Sequence, residues 1–134
     1  MKIESKKAIV NTSAEKAFSF ISNFNNFQNL LPKDKISDYK STSDSCSFNI
    51  NGMATISMRI KNKIPNNKLE VVSDGKNPFN FSLTILLEEK TENSCEAMII
   101  FDADVNPFVK MMVETPLTNF FNMLAEKLPQ MNFD

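Results

Sequence analysis

The stretch "MMVETPLTNFF", residues 111–121, decides how this chain is read. Helix-forming residues flank Pro116 on both sides, yet proline has no N–H to donate and its ring collides with the carbonyl four residues back. Working outward, Asn106 is placed to cap a helix and Pro107 to take its first position, where a missing N–H costs nothing. After Pro116, Leu117, Phe120, Phe121, Leu124 and Leu128 sit at offsets 0, 3, 4, 7 and 11, a single helical stripe. Before it, Phe108, Met111 and Met112 form a stripe of their own. At about 100° per residue, Phe108 points roughly opposite to Leu117. The apolar face therefore jumps around the axis at the proline. Either Thr115 caps a new helix with Pro116 at its first position, or one helix is kinked and partly buried on two sides. The periodicity favours a break or a marked kink. Phe108, Met111, Met112 and Pro116 are expected to form a deformable gate at a cavity mouth, since methionine is unbranched and adaptable. The plainer reading is a helix that bends around a curved sheet.

The rest of the chain supplies that sheet. A first strand is expected over about Lys2–Val10, followed by a helix that Ser13 caps, with Ala14, Ala17, Phe18 and Ile21 on its apolar face. A second short helix or turn runs from Phe24 to Leu31 and ends at Pro32. The pattern then switches to period two: Cys46, Phe48 and Ile50; Ala54, Ile56, Met58 and Ile60; Phe79, Phe81, Leu83, Ile85 and Leu87; Ala97, Ile99, Phe101, Ala103 and Val105. These read as antiparallel strands with one apolar face and one mostly polar face. Ile60 and Leu69 have opposite parity, which predicts an even loop with Asn66-Asn67 as its turn. Leu87 and Cys95 have matching parity, which predicts the odd loop Glu92-Asn93-Ser94. Around Asn51-Gly52 the parity demands an odd loop or a bulge, and a bulge is favoured. The expected fold is α+β: an antiparallel sheet of about six to seven strands, two short helices after the first strand, and a long C-terminal helix that the curved sheet grips. Residues 1–134 read as one domain.

Composition narrows the function. For 15.2 kDa the scaling laws give about 7,100 Å² of folded surface against roughly 22,000 Å² unfolded, enough burial for a core without staples. The net charge is −1, acids and bases are interspersed, and Arg59 is the only arginine. Nucleic acid is not an expected partner, because it requires a basic face. The longest apolar run, Ala97–Phe101, falls far short of the ~20 residues of a spanning helix, so no stable membrane insertion is expected. "MKIESKKAIV" has no apolar segment of the signal-peptide type, and Cys46 and Cys95 lack metal-ligand spacing. Two reduced thiols in a cytoplasmic protein is the expectation.

The layout resembles a known family. A strand, "SAEKAFSFISNFNNFQNLLP", five or six strands and "NPFVKMMVETPLTNFFNMLAEKL" look like the helix-grip fold of the START-related (SRPBCC) superfamily, and the chain is similar to its small bacterial members grouped with polyketide cyclases and lipid-transport proteins. The resemblance spans essentially the whole chain and carries no catalytic signature. It implies a cavity between sheet and C-terminal helix that takes lipids, sterols, quinones or polyketides. The same fold includes enzymes and adaptors, so it does not settle function.

Chemistry is sparse. The chain has no His and no Trp, which removes a Ser-His-Asp or Cys-His arrangement and imidazole metal ligands. No cofactor and no metal site is expected. Asp102 and Asp104 share a strand face, but on the outward phase, where solvated carboxylates are the default. Cys46 and Cys95 fall on apolar phases with no basic partner to lower a thiol pKa. Tyr39 is the single tyrosine; it either reaches into a cavity to orient a head group or packs at the rim.

The inward residues Phe48, Ile56, Met58, Phe79, Phe81, Leu83, Ile99, Phe101, Leu117, Phe120, Phe121 and Leu124 are the expected cavity lining. For each one alone an ordinary core is the better reading; the architecture, a strongly curved sheet against one helix, tilts the set toward a cavity. On the outward phase Leu86, Met98 and Ile100 cluster, with Val72 nearby, as an interface for a second copy or another protein. The first functional expectation is a non-catalytic binder of an apolar small molecule. A protein-interaction module with a filled core is the alternative, and a cyclase- or dehydratase-type enzyme the third. Volume separates the first two, since an interior without a void of ~300 Å³ favours the interaction module.

Overall fold

The alternating stretches form one antiparallel sheet in a computed structural model that describes residues 1–133. In chain order the elements are β1 (Lys2–Glu4), β2 (Ala8–Val10), α1 (Ala14–Ile21), α2 (Phe24–Phe27), β3 (Ile36–Ser41), β4 (Ser45–Ile50), β5 (Ala54–Ile64), β6 (Lys68–Ser73), β7 (Phe81–Thr91), β8 (Ser94–Ala103) and α3 (Pro107–Lys127). The sheet order is β1-β8-β7-β6-β5-β4-β3, with β2 also on β8. This is the expected α+β helix-grip arrangement: every strand from β3 to β8 pairs with its sequence neighbour, and the N-terminal strands close onto the last one. The accessible surface, 7384 Å², is close to the ~7,100 Å² that the mass implies.

The expected first strand is interrupted, and Ser5 explains where. Its hydroxyl accepts from the Ile99 amide (2.9 Å) and its own amide donates to the Ile99 carbonyl (2.8 Å). The next amide, Lys6, turns away from the sheet and donates to the Asn122 side chain on α3 (2.8 Å). One residue thus keeps the ladder satisfied while the chain leaves it to tie down the C-terminal helix.

The helices start where capping chemistry puts them. The Ser13 hydroxyl accepts from the Lys16 amide (3.1 Å), and Ala14, Ala17, Phe18 and Ile21 are buried. The Asn23 side chain caps α2, whose Phe24 and Phe27 pack edge to face 5.2 Å apart. β3 belongs to the polar part of the chain that the period-two pattern did not single out. Only Ile36 and Tyr39 are half-buried on it, and it holds one edge of the sheet, where polar residues are tolerated.

Three turn expectations are corrected. The Ile50–Ala54 connection is a regular three-residue loop with Gly52 at φ +80°, not a bulge. Between β5 and β6 the loop is odd, Pro65-Asn66-Asn67 between the paired Ile64 and Lys68, and a bulge at Lys61 supplies the parity change. Asn66 does take the positive φ, 65°. Between β7 and β8 the loop is even, Glu92-Asn93 between the paired Thr91 and Ser94, with a bulge at Lys90. A bulge inside a strand and an extra loop residue shift parity identically, so alternation alone does not distinguish them.

α3 is continuous through Pro116, so of the two expected forms the new helix capped by Thr115 is absent and the single helix is present. The Asn106 side chain caps it by accepting from the Val109 amide (2.9 Å). Residues 107–116 are nowhere fully buried. Pro116 withholds an N–H from the Met112 carbonyl, but Met112 is 62% exposed, where solvent can replace a missing donor. The helix therefore tolerates the proline, and the stripe before it faces solvent: Phe108 is 72% and Met111 85% exposed. Burial begins at Leu117 and continues through Phe120, Phe121, Leu124 and Ala125. An interior proline costs about 3 kcal/mol relative to alanine, part of which water offsets here. Pro116→Ala is expected to raise the unfolding free energy by about 1–2 kcal/mol, read from urea titrations. An unchanged or lower midpoint would mean that the helix is not limited at this residue.

Candidate functional site

The apolar faces of the sheet and of the second half of α3 meet around a small internal void. Phe48, Ile56, Met58, Phe79, Phe81, Leu83, Phe101, Leu117, Phe120, Phe121 and Leu124 line it, joined by Phe27 and Ile50. Ile99 is buried but does not reach the void. It lies two residues along β8 from Phe101 and opposite Ile85. Phe27 was not anticipated because it sits on α2, outside the strand phases. Ile50 shares the inward phase of Cys46 and Phe48, a signal that was available.

Aromatic rings fill most of the space. Phe79 packs edge to face on Phe81 (6.5 Å) and Phe101 (6.3 Å), Phe81 stacks on Phe101 (5.3 Å), and Phe101 meets Phe121 (4.9 Å). The chain of rings continues through Phe120 (5.7 Å from Phe121), Phe48 (6.3 Å) and Tyr39 (5.9 Å). The void that remains has a volume of about 30 Å³. That is room for a water molecule or two, but no polar side chain lines it, so it stays dry. It lies an order of magnitude below the ~300 Å³ of a small-molecule site.

A second cavity of about 230 Å³ lies outside it, a groove between α3 and the β4–β5 turn. Lys35, Ile50, Asn51, Met53, Pro116, Asn119, Phe120 and Met123 line it. Ile50 and Phe120 thus wall both spaces, with exposures of 8% and 6%. Phe108, Met111 and Met112 line neither space; of the residues expected at a gate, Pro116 alone reaches the groove. The reason is the unbroken helix, which carries the first stripe out into solvent. On the opposite sheet face Leu86 pairs with Met98, and Ile100 follows on the same face of β8. All three are half-buried.

Among the described residues no titratable group lines the void. Asp102 is exposed on the outer face of β8, and Asp104, also exposed, lies just past the end of that strand. Tyr39 braces the rim: its hydroxyl donates to the Phe24 carbonyl (2.6 Å) while its ring stacks on Phe48. Burial pushes the Cys46 thiol from its ordinary 9.0 up to about 12, and the neighbouring Tyr39 hydroxyl lowers it only in part. Burial, and then the charge of an ionised Cys46, raises Tyr39 as well. Burial and the Glu89 carboxylate raise Cys95. Both thiols are free and buried, the opposite of the electropositive, partly exposed setting of a nucleophile.

No family model matches the chain, and no curated protein does. Solved structures match over nearly its whole length. A START superfamily protein from Mycobacterium smegmatis has a TM-score of 0.70 at 14% identity, over 98% of this chain and 99% of that one. The protein XoxI from Bacillus cereus has a TM-score of 0.75 at 17% identity, over 96% and 93%. The fold is the START-like helix grip. Truncated norcoclaurine synthase from Thalictrum flavum shares it, with a TM-score of 0.68 at 13% identity over 98% and 95%, so the helix grip also carries a protein named as a synthase. Among the described residues no helix is long and apolar enough to cross a membrane.

The thiol shift has a measurable consequence for stability. Below the ordinary thiol value of 9.0, Cys46 is protonated in both the folded and the unfolded chain and contributes no pH dependence. Between 9.0 and about 12 the unfolded chain releases the proton and the folded chain keeps it, so stability falls as pH rises. Urea titrations are expected to give a flat contribution from pH 6 to 8 and a decline of about 1 kcal/mol per pH unit above 9 from this group. Cys46→Ala should make the decline shallower by that amount and leave the part owed to Cys95 and Tyr39, which burial raises as well; parallel declines in both proteins would mean that Cys46 contributes none of it.

Proposed function

We propose that this protein is a non-catalytic binder of an apolar small molecule, held between the sheet and the second half of α3. The observation that supports this reading is the void itself: a gap at the centre of the helix grip, walled only by apolar side chains and one side-chain layer from an open groove. Apolar lining gives a ligand affinity by excluding water, at about 25 cal/mol per Å² of apolar surface buried. The same lining offers no acid, base or nucleophile within the void, which argues against the synthase chemistry that this fold supports elsewhere.

At about 30 Å³ the interior is closed, so binding requires it to expand. A ligand would then select an open form that is a minority in the free protein. By volume alone the closed interior favours the second reading, an interaction module with a filled core that docks through Leu86, Met98 and Ile100 to a second copy or another protein. In either reading the two buried reduced thiols suit a cytoplasmic protein.

Native mass spectrometry of protein isolated from its own host, followed by organic extraction, separates the two. A stoichiometric apolar adduct is expected, either as isolated or after incubation with a host lipid extract. A clean protein mass in both experiments would favour the filled module.

A further inference from the structure

Resting on the binding reading, we infer that the groove beside α3 is the outer half of the same site, and that the ligand is an amphipath with a single anionic head. The head lies at Lys35, and the tail passes Ile50 and Phe120 into the interior.

Three features of the groove support this. The first is continuity. Ile50 and Phe120 belong to both walls, so these two side chains are the partition that a ligand would have to displace. Their volumes, about 30 and about 230 Å³, together approach the ~300 Å³ at which small-molecule sites begin. Neither space reaches it alone.

The second is the adaptability of the walls. Met53 and Met123 flank the passage, and unbranched thioether side chains re-pack around a guest more readily than branched ones. Met123 is 40% exposed, so little packing resists its movement.

The third is chemistry. The polar lining of the groove is Lys35, Asn51 and Asn119. The Asn51 amide donates to the Lys35 carbonyl (2.8 Å), which fixes the backbone beneath that lysine. The Asn51 side-chain oxygen accepts from the Ser37 hydroxyl (3.0 Å), so its NH2 remains as the donor end. The lining includes no carboxylate. An ammonium and two amides suit a carboxylate or another single anion better than a cation.

The test uses the whole protein with methyl-labelled methionine, titrated by NMR with dodecanoate and, separately, with dodecanol. Dodecanoate is expected to shift the groove methyls of Met53 and Met123 together with the interior Met58, and to leave Met111 and Met112 in place. Phe120→Ala and Ile50→Ala each thin the partition. Either is expected to tighten dodecanoate binding roughly fivefold or more by raising the open population, and the second variant stands in if the first does not fold. Lys35→Gln is expected to weaken dodecanoate roughly three- to fivefold, the range of an exposed charge pair, with dodecanol unchanged. A shift of Met58 without Met53 and Met123, or indifference of dodecanoate to Lys35→Gln, overturns the inference and leaves the binding reading intact. The absence of any shift with either probe, in wild type and variants alike, overturns it too. A clean mass after the lipid-extract incubation then removes the binding reading with it.

Discussion

A sheet with seven strand positions presents more apolar face than half a helix can cover, and the rest of the molecule answers that mismatch. Only the part of α3 from Leu117 onward is buried, while the inner face runs from Ile3 on β1 to Phe48 and Ile50 on β4. The difference is made up by large side chains. Phe24 and Phe27 close one side from α2, and a chain of rings from Phe79 to Tyr39 spans the middle. Aromatic side chains bury the most area per residue and prefer these offset and edge-to-face contacts. Smaller residues at the same positions would leave an open chamber. The size of the void is set by phenylalanine content more than by backbone geometry.

Much of this was legible in the sequence, because burial on one sheet face enforces strict alternation. Phe81, Leu83, Ile85 and Leu87 could not all point inward in any other register. Ser13 and Asn106 marked helix starts through the hydrogen bond each side chain accepts. The lining was legible for the same reason, since inward phase and proximity to the second helical stripe select nearly the same residues. How far those residues fill the space was not legible, because packing depends on three-dimensional distances that no periodicity encodes.

The differences from the sequence pattern have three separate physical causes. An apolar stripe need not be a buried one, as Phe108, Met111 and Met112 on α3 show. Exposed apolar residues are common on protein surfaces, and the exposure of Met112 makes an interior proline tolerable. The turn errors came from counting residues where Lys61 and Lys90 bulge. The break at Ser5 depended on a hydroxyl replacing a carbonyl across the ladder, a substitution that no pattern of hydropathy records.

That break at Ser5 also bears on the order in which the molecule is completed. From β3 to β8 each strand pairs with the next, so the contacts are local and hairpins can form as neighbours meet. Lys2–Val10 have no such neighbour. Ser5 meets Ile99 across 94 positions, and Lys6 meets Asn122 across 116. Both ties must await closure of nearly the whole chain, and pairing at such separation is intrinsically slow. Until then the 10 residues of β8 stand as a bare strand edge, a template for pairing with other chains. The step that covers this edge also docks α3, because adjacent residues do both. Anything that delays the return of the N-terminal segment therefore prolongs the exposure of the edge and of the unsealed core together.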